Sequence, residues 1–208
     1  MKKFLSFALA LTLCASLAAC GNGGNTSGSD NTSASGSGSS SQTQTSDMQY
    51  VKDKGTLVVG ITEFEPMDYQ DTEGNWIGFD ADLASAFAEY LGVEVQFQVI
   101  DWDNKVMELD GKTIDVVWNG MTLNDEVKAA MECSNPYFDN AQVVIVPADK
   151  AAEYQTVESV QDLAFSVEVG SAAKEQAEEY GFNYTEAADQ ATALLEVSSG
   201  TADAAIID

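Results

Sequence analysis

The amino-acid sequence predicts an α/β fold with mostly parallel sheets. From residue 50 onward, short apolar runs alternate with stretches whose apolar residues recur every three or four positions. The helical stretches are about ten residues long, a length typical of helices that connect parallel strands. Two such series follow each other and divide near residues 146–150. The pattern therefore predicts two α/β lobes.

The first series begins with a buried strand at residues 56–61, an apolar run that contains Gly60. A helix follows over residues 79–90, where the apolar residues share one face and Gly92 ends the helix. The remaining predicted elements are a strand at 93–99, a helix at 102–109, a strand at 114–118, a helix opening at 124–126 and a strand at 141–147.

The second series repeats the alternation. It starts with a strand at residues 163–169, after which Ser171 can cap a helix that runs to residue 180. A second helix covers residues 188–199, and another apolar strand begins at residue 204. Because the sequence stops inside that strand, we expect it to be a fragment whose second lobe and return segment are incomplete.

The first 47 residues predict a secretion signal followed by a flexible linker. Residues 1–19 join two lysines to an apolar run too short to span a bilayer, which is typical of a secretory signal peptide. The small residues before Cys20 resemble the lipobox of bacterial lipoproteins, in which the cysteine is lipidated; an ordinary cleavage site is the alternative. Residues 20–47 are rich in Gly, Ser and Thr and predict a flexible linker. Residues 48–146 and 147–208 then form the two lobes.

Composition excludes several classes of function. The 208 residues carry 34 acidic and 9 basic side chains, giving a formal charge of −25, and every basic residue is Lys. This charge argues against a nucleic-acid partner, which requires cationic side chains to neutralise phosphates. The absence of His excludes Ser-His-Asp catalysis and His-ligated metals, and the absence of Arg excludes a guanidinium clamp on a carboxylate. We expect no metal and no cofactor.

Six segments carry a family signature: residues 58–60, 64–69, 74–83 (GNWIGFDADL), 115–122 (DVVWNGMT), 133–137 (CSNPY) and 200–204 (GTADA). In order and spacing they resemble the polar amino-acid-binding proteins of bacterial ABC importers, the family 3 extracellular solute-binding proteins. The resemblance implies a periplasmic-binding-protein-like fold, with two α/β lobes around a ligand cleft. It also implies an amino-acid ligand, permease and ATPase partners, and a monomer. With the lipobox, it implies a lipid-anchored protein on the extracytoplasmic face of a bacterial, Gram-positive cell membrane.

The resemblance places two aromatic walls of the cleft at Phe64 and Trp102. Such walls suit a ligand with apolar and polar parts and can attract an ammonium through their ring faces. Both aromatics could instead belong to the core. Glu63, near the mouth, would favour a cationic ligand.

The polar groups of the cleft fall at the ends of predicted strands. By resemblance, the Gly120 carbonyl and the Thr122 hydroxyl serve the ligand ammonium, and the Thr122 amide serves the carboxylate. Ser171 and Ala172 lie at a helix N-terminus, which is a site for a carboxylate, although relatives carry a hydroxyl at the position of Ala172. Asp208 matches a carboxylate that pairs with the ligand ammonium.

The sequence departs from the family pattern at Val127, where relatives have an arginine that binds the ligand carboxylate. The adjacent Lys128 points about 100° away on a helix and is no automatic substitute. Either neutral donors hold the carboxylate, with Asn119 an added candidate, or the ligand is not a standard amino acid. We favour the neutral donors.

Three other functions compete with ligand capture. Relatives with this fold include dehydratases, and acids such as Glu63 and Glu65 could act in acid–base catalysis; the general acidity of the chain argues against this, so we expect no catalytic residues. A sensory ligand-binding domain would need a transmembrane helix after the second lobe. A purely structural surface lipoprotein would not need the cleft residues.

Overall fold

A computed structural model describes residues 46–208 of the chain. The helices are α1 (Asp47–Lys54), α2 (Phe79–Leu91), α3 (Lys105–Asp110), α4 (Asp125–Ala130), α5 (Ala172–Tyr180) and α6 (Gln190–Ser199). The strands are β1 (Thr56–Ile61), β2 (Tyr69–Gln70), β3 (Trp76–Ile77), β4 (Glu94–Val99), β5 (Val116–Val117), β6 (Val143–Ile145), β7 (Ala164–Glu168), β8 (Asn183–Ala187) and β9 (Ala204–Ile207). Short 3₁₀ turns lie at Trp102–Asn104 and Glu158–Val160.

The first lobe is built on a parallel sheet with the strand order β4-β1-β5. Helix α2 covers one face, where Ala84 and Ala88 pack against Val59 and Ile61 of β1. The opposite face packs against a cluster around Trp102, next to α3. Both faces are buried, which explains why β1 is apolar along its length rather than alternating.

The second lobe is built on a four-stranded sheet with the order β6-β9-β7-β8. Strands β7, β8 and β9 are parallel, and β6 runs antiparallel to β9. Helix α5 covers one face and α6 the other, and Phe165 of β7 stacks on Phe182 with ring centroids 4.7 Å apart. The predicted α/β class, with two lobes around a cleft, is thus the observed architecture.

The predicted elements agree with the structure except at a few boundaries. The strand predicted at 114–118 is reduced to Val116–Val117, and the helix predicted at 102–109 is divided into a 3₁₀ turn and α3. Helix α1, the β2–β3 hairpin and β8 were not predicted from the sequence. These elements are short or bury few side chains, so they carry little apolar periodicity.

The expected division of the chain remains a prediction at several points. The signal peptide at 1–19, Cys20 and most of the linker lie outside the described residues; at the far end of the linker, Ser46 caps α1 and Asp47 begins it. Strand β6 lies before the expected boundary at 146/147, yet it pairs with β9 of the second sheet. No helix within residues 46–208 combines the length and apolar character needed to cross a membrane.

Candidate ligand-binding cleft

A cavity of about 290 Å³ lies between the two lobes. Its lining comes largely from segments that follow the carboxyl ends of strands: residues 119–122 follow β5, residues 170–172 follow β7, and Asp208 follows β9. Ligands in open α/β sheets bind at such ends. Its volume is close to the lower limit for small-molecule pockets. We call this cavity the interlobe cleft.

Thr122 and Asp208 meet across the interlobe cleft. The Thr122 hydroxyl donates to Oδ1 of Asp208 at 3.1 Å. The side-chain amides of Asn140 and Gln142 also donate to this oxygen, and Gln190 donates to Oδ2 at 2.7 Å. The amide oxygen of Gln190 in turn accepts from the Asp208 backbone N–H at 3.0 Å. Asp208 is therefore fixed as a hydrogen-bond acceptor beside the cleft, with Thr122 against it.

The N-terminus of α5 also lies at the cleft, where Ser171 and Ala172 are lining residues. Ser171 caps the helix: its hydroxyl donates to the Glu168 carbonyl at 2.7 Å and accepts from the Lys174 N–H at 3.4 Å. The Ser171 hydroxyl is thus occupied by its own backbone. The first amides of the helix, at Ala172 and Ala173, have no intrahelical acceptor and carry the positive end of the helix dipole. Ala172 lines the cleft. Because the backbone amides at a helix N-terminus can bind an anion, such a site does not require a hydroxyl on the side chain at this position.

The two predicted aromatic walls have different positions. Trp102 is 6% exposed, packs with Ile100 and Ile114, and also lines the cleft, so it serves both the core and the cavity. Phe64 is half-buried and does not line the cavity, but its ring lies against Gly120: a Cβ added to Gly120 would approach Phe64 Cε1 to 2.9 Å. Glu63 is exposed and outside the lining.

Asn119 lies at the floor of the cleft and is 4% exposed. Its amide nitrogen donates to the Thr62 hydroxyl at 2.8 Å, which fixes the orientation of the side chain. The amide oxygen has no hydrogen-bond partner among residues 46–208. The amide nitrogen of Asn119 is therefore already occupied, and only its oxygen, an acceptor, is left without a partner. A ligand carboxylate needs a donor, so this arrangement does not support Asn119 as its binding group.

The position of the family arginine holds a buried apolar side chain. Val127 lines the cleft, while Lys128 is exposed and lies outside the lining, as its helix position indicated. Two lysines, Lys105 and Lys174, line the cleft, and neither was predicted from the sequence. Lys105 lies at the contact between the lobes. Its ammonium donates to the Trp102 carbonyl at 3.1 Å and to the Gly170 carbonyl at 2.9 Å, with the Trp102 ring centroid 5.1 Å away.

Direct contacts hold the lobes together around the cleft. The bond from Lys105 to Gly170 joins α3 of the first lobe to the loop before α5 of the second. A Cβ added to Gly170 would lie 2.7 Å from the Asp103 Cα, so the two backbones are in close contact. Asn124 also donates to Glu175 across the lobes at 2.8 Å. The described conformation is a closed one.

A further buried acid was missed by sequence reasoning. Glu168, the last residue of β7, is 2% exposed and lines the cleft. Burial raises the pKa of its carboxyl to about 8; the nearby Thr62 hydroxyl lowers this pKa, Asp208 and Asp189 raise it, and Lys105 lowers it. The available signal was an acid in an apolar strand directly before the cleft loop. Within residues 46–208, no group of three or more Asp, Glu, Cys or His side chains is arranged to hold a metal ion.

The fold and the cleft define a class of protein: a two-lobed α/β binding protein in which both lobes contribute polar groups to one small-molecule site. Comparison with protein families gives the membership. The family of bacterial extracellular solute-binding proteins, family 3, matches residues 57–206. The chain belongs to this family.

Individual relatives are similar over most of this chain. The L-cystine-binding protein TcyJ of Escherichia coli (strain K12) is 29% identical over 161 residues, which cover 76% of this chain and 60% of TcyJ. The arginine-binding extracellular protein ArtP of Bacillus subtilis (strain 168) is 28% identical over 213 residues, covering 100% of this chain and 73% of ArtP. This chain thus spans about 60% of the length of the E. coli relative.

A solved structure supports the same fold. The crystal structure of the ancestral amino acid-binding protein AncCDT-1, a precursor of cyclohexadienyl dehydratase, matches with a TM-score of 0.74 and 32% sequence identity. The match covers 78% of this chain and 74% of that chain.

Proposed function

We propose that this chain is the solute-binding component of an ABC importer, which captures an amino acid in the interlobe cleft and delivers it to a membrane permease and its ATPase. The observation that carries the proposal is the meeting of Thr122 and Asp208 across the lobes, 3.1 Å apart, beside the N-terminus of α5. An amino acid needs an acceptor anion and a group of donors close together, and this arrangement supplies both.

The ligand ammonium would lie against Asp208, the Thr122 hydroxyl and the Gly120 carbonyl. The ligand carboxylate would accept from the amides at Thr122 and at the start of α5. These neutral donors replace the arginine that Val127 excludes. Trp102 would cover the ligand from the first lobe, and Phe64 would support the loop at Gly120 from behind.

Calorimetric titration of the purified protein with a panel of amino acids tests the capture of a ligand. We expect one site with saturable heat for at least one amino acid, and at least a tenfold loss of affinity in Asp208→Asn, because a charged hydrogen bond contributes about 1.5–3 kcal/mol. The exposed Glu153→Gln serves as a control for a general loss of charge. Heat for no amino acid in the panel would contradict the proposal.

We also propose that the protein is no enzyme. The Asp208 carboxylate is held in place by amide and hydroxyl donors, an arrangement that suits the orientation of a bound ligand. Conversion of a cyclohexadienyl acid by the purified protein would overturn this point. A sensory role would use the same cleft and would be revealed by a signalling partner in place of a permease.

The N-terminal sequence and the family support a proposal for the location and assembly. We propose that residues 1–19 direct export, that Cys20 is lipidated, and that a monomer is held on the extracytoplasmic face of a Gram-positive cell membrane by the linker. In a Gram-positive host, the full chain should appear in the membrane fraction, and Cys20→Ser should shift it to the medium. A membrane-bound Cys20→Ser protein would contradict lipid anchoring.

A further inference from the structure

Glu168 is a buried carboxylate without a full set of partners. It ends β7 at the wall of the interlobe cleft, 2% exposed, and its Oε1 accepts no hydrogen bond from any group in the described part of the chain. Buried polar atoms are satisfied in the great majority of cases, and a buried charge without a partner is costly. Because Glu168 lines the cavity, its unsatisfied carboxyl indicates a ligand group that satisfies it.

The protein's own cations do not satisfy this oxygen. The charge of Lys105 lowers the pKa of Glu168, but its ammonium donates to the carbonyls of Trp102 and Gly170. Lys174, the other lysine of the cleft, pairs with Glu186 at 2.7 Å. The other groups that face Glu168 are the Thr62 hydroxyl and the carboxylates of Asp189 and Asp208, none of which is a cation.

The cleft as a whole is acidic. Two lysines line it, against six carboxylates: Asp103, Glu126, Glu168, Glu175, Glu178 and Asp208. Clefts lined by one sign of charge concentrate ligands of the opposite sign. A neutral zwitterion brings one ammonium, which the site around Asp208 takes up, and would leave Glu168 unpaired. A ligand with a second cationic group would pair with both Asp208 and Glu168, which line the cleft at the ends of β9 and β7.

We propose that Glu168 binds the cationic end of the ligand side chain, so that the cleft selects amino acids whose side chains end in a guanidinium or an ammonium. This inference rests on the proposed function and names the ligand class for the same site. It assigns selectivity to an acid at the end of β7, inside the cleft, rather than to the exposed Glu63.

Titration calorimetry at pH 8 with L-arginine, L-lysine, L-citrulline and L-glutamine tests the assignment. Citrulline has nearly the shape of arginine but carries no side-chain charge. We expect arginine or lysine to bind at least tenfold more tightly than citrulline or glutamine. Glu168→Gln should reduce the affinity for the cationic ligand by about 10- to 100-fold and that for citrulline by less than threefold.

Two variants keep the test independent of folding. Glu168→Asp retains the charge one methylene further back and should keep the preference for the cationic ligand at lower affinity. Glu153→Gln removes an exposed charge outside the cleft and should change neither affinity. Thermal unfolding of each variant identifies any that is misfolded.

The outcomes separate the two proposals. Equal affinity for arginine and citrulline, or an unchanged preference in Glu168→Gln, would overturn the assignment of Glu168 while leaving an amino-acid receptor. If none of the four ligands binds, and no amino acid of the wider panel binds, the proposed function itself is overturned.

Discussion

Asp68 and Asp80 form a buried acidic pair in the first lobe, and replacing Asp68 with asparagine should remove a pH-dependent cost to folding. Both residues are 0% exposed. Oδ1 of Asp80 accepts from the Tyr137 hydroxyl at 2.7 Å, but its Oδ2 and both oxygens of Asp68 have no hydrogen-bond partner within residues 46–208. Desolvation, followed by the charge of Asp80, raises the pKa of Asp68 to about 8.

The direction and size of the effect follow from linkage. The folded protein keeps the proton on Asp68 up to about pH 8, whereas the unfolded chain loses it near pH 4. The free energy of unfolding therefore falls as the pH rises through this window, by at most about 6 kcal/mol at about 1.4 kcal/mol per unit. Local relaxation reduces this limit, and we expect Asp68→Asn to be more stable than the wild type by about 2–4 kcal/mol at pH 8. At pH 5 the two proteins should differ by about 1 kcal/mol or less.

Urea unfolding followed by tryptophan fluorescence at pH 5, 6, 7 and 8 measures the difference. Many carboxyls contribute to the pH dependence of the wild type, so the informative quantity is the difference between the two profiles. Asp162→Asn, at an exposed position of the second lobe, is the matched control and should give a profile parallel to that of the wild type. Parallel profiles for wild type and Asp68→Asn would refute the reasoning.

Three further predictions concern the cleft. Arginine affinity should fall by up to about 50-fold from pH 8 to pH 6 in calorimetry, because the cation requires Glu168 to be ionised and burial raises the pKa of Glu168 in the free cleft to about 8; citrulline affinity should stay constant. Gly170→Ala should weaken ligand binding about tenfold and increase the ligand-saturated radius of gyration in X-ray scattering, because φ is +64° and a Cβ would meet Asp103 of the other lobe. Gly120→Ala should weaken binding several-fold with little change in the unfolding midpoint, because the Phe64 ring must move.

Each of these predictions has an outcome that would contradict it. An arginine affinity independent of pH would show that the Glu168 carboxyl does not meet the cation. Wild-type affinity in Gly170→Ala would show that the contact with Asp103 does not belong to the ligand-bound state. A Gly120→Ala protein that binds normally would show that the Phe64 ring adapts at no cost.

The sequence predicted the elements that bury a continuous apolar face. Strand β1 and helix α2 were visible because their apolar residues follow the period of a strand or helix that packs on a core. The helix caps at Ser171 and Gly92 were visible because few residues suit those positions. Strand β8 was missed because it lies at the edge of its sheet and buries only one of its five residues.

The candidate site was foreseen in part. Trp102, Gly120, Thr122, Asp208 and the start of α5 line one cavity because they follow strand ends, a position that the order of elements indicates. Nothing in the sequence distinguishes Lys105, and Glu168 offers only a weak signal, an acid at the end of an apolar strand. Whether an acid or a lysine faces a cavity depends on the closure of two lobes, and a chain with 34 acids offers many equivalent candidates.

A crystal structure of the protein grown with L-arginine tests the central claim most directly. We expect the ligand in the interlobe cleft, with its α-ammonium within hydrogen-bond distance of Thr122 and Asp208, its carboxylate at the N-terminus of α5, and its guanidinium at Glu168. Arginine bound outside the cleft, or a cleft that stays empty at saturating arginine and every other amino acid, would contradict the account.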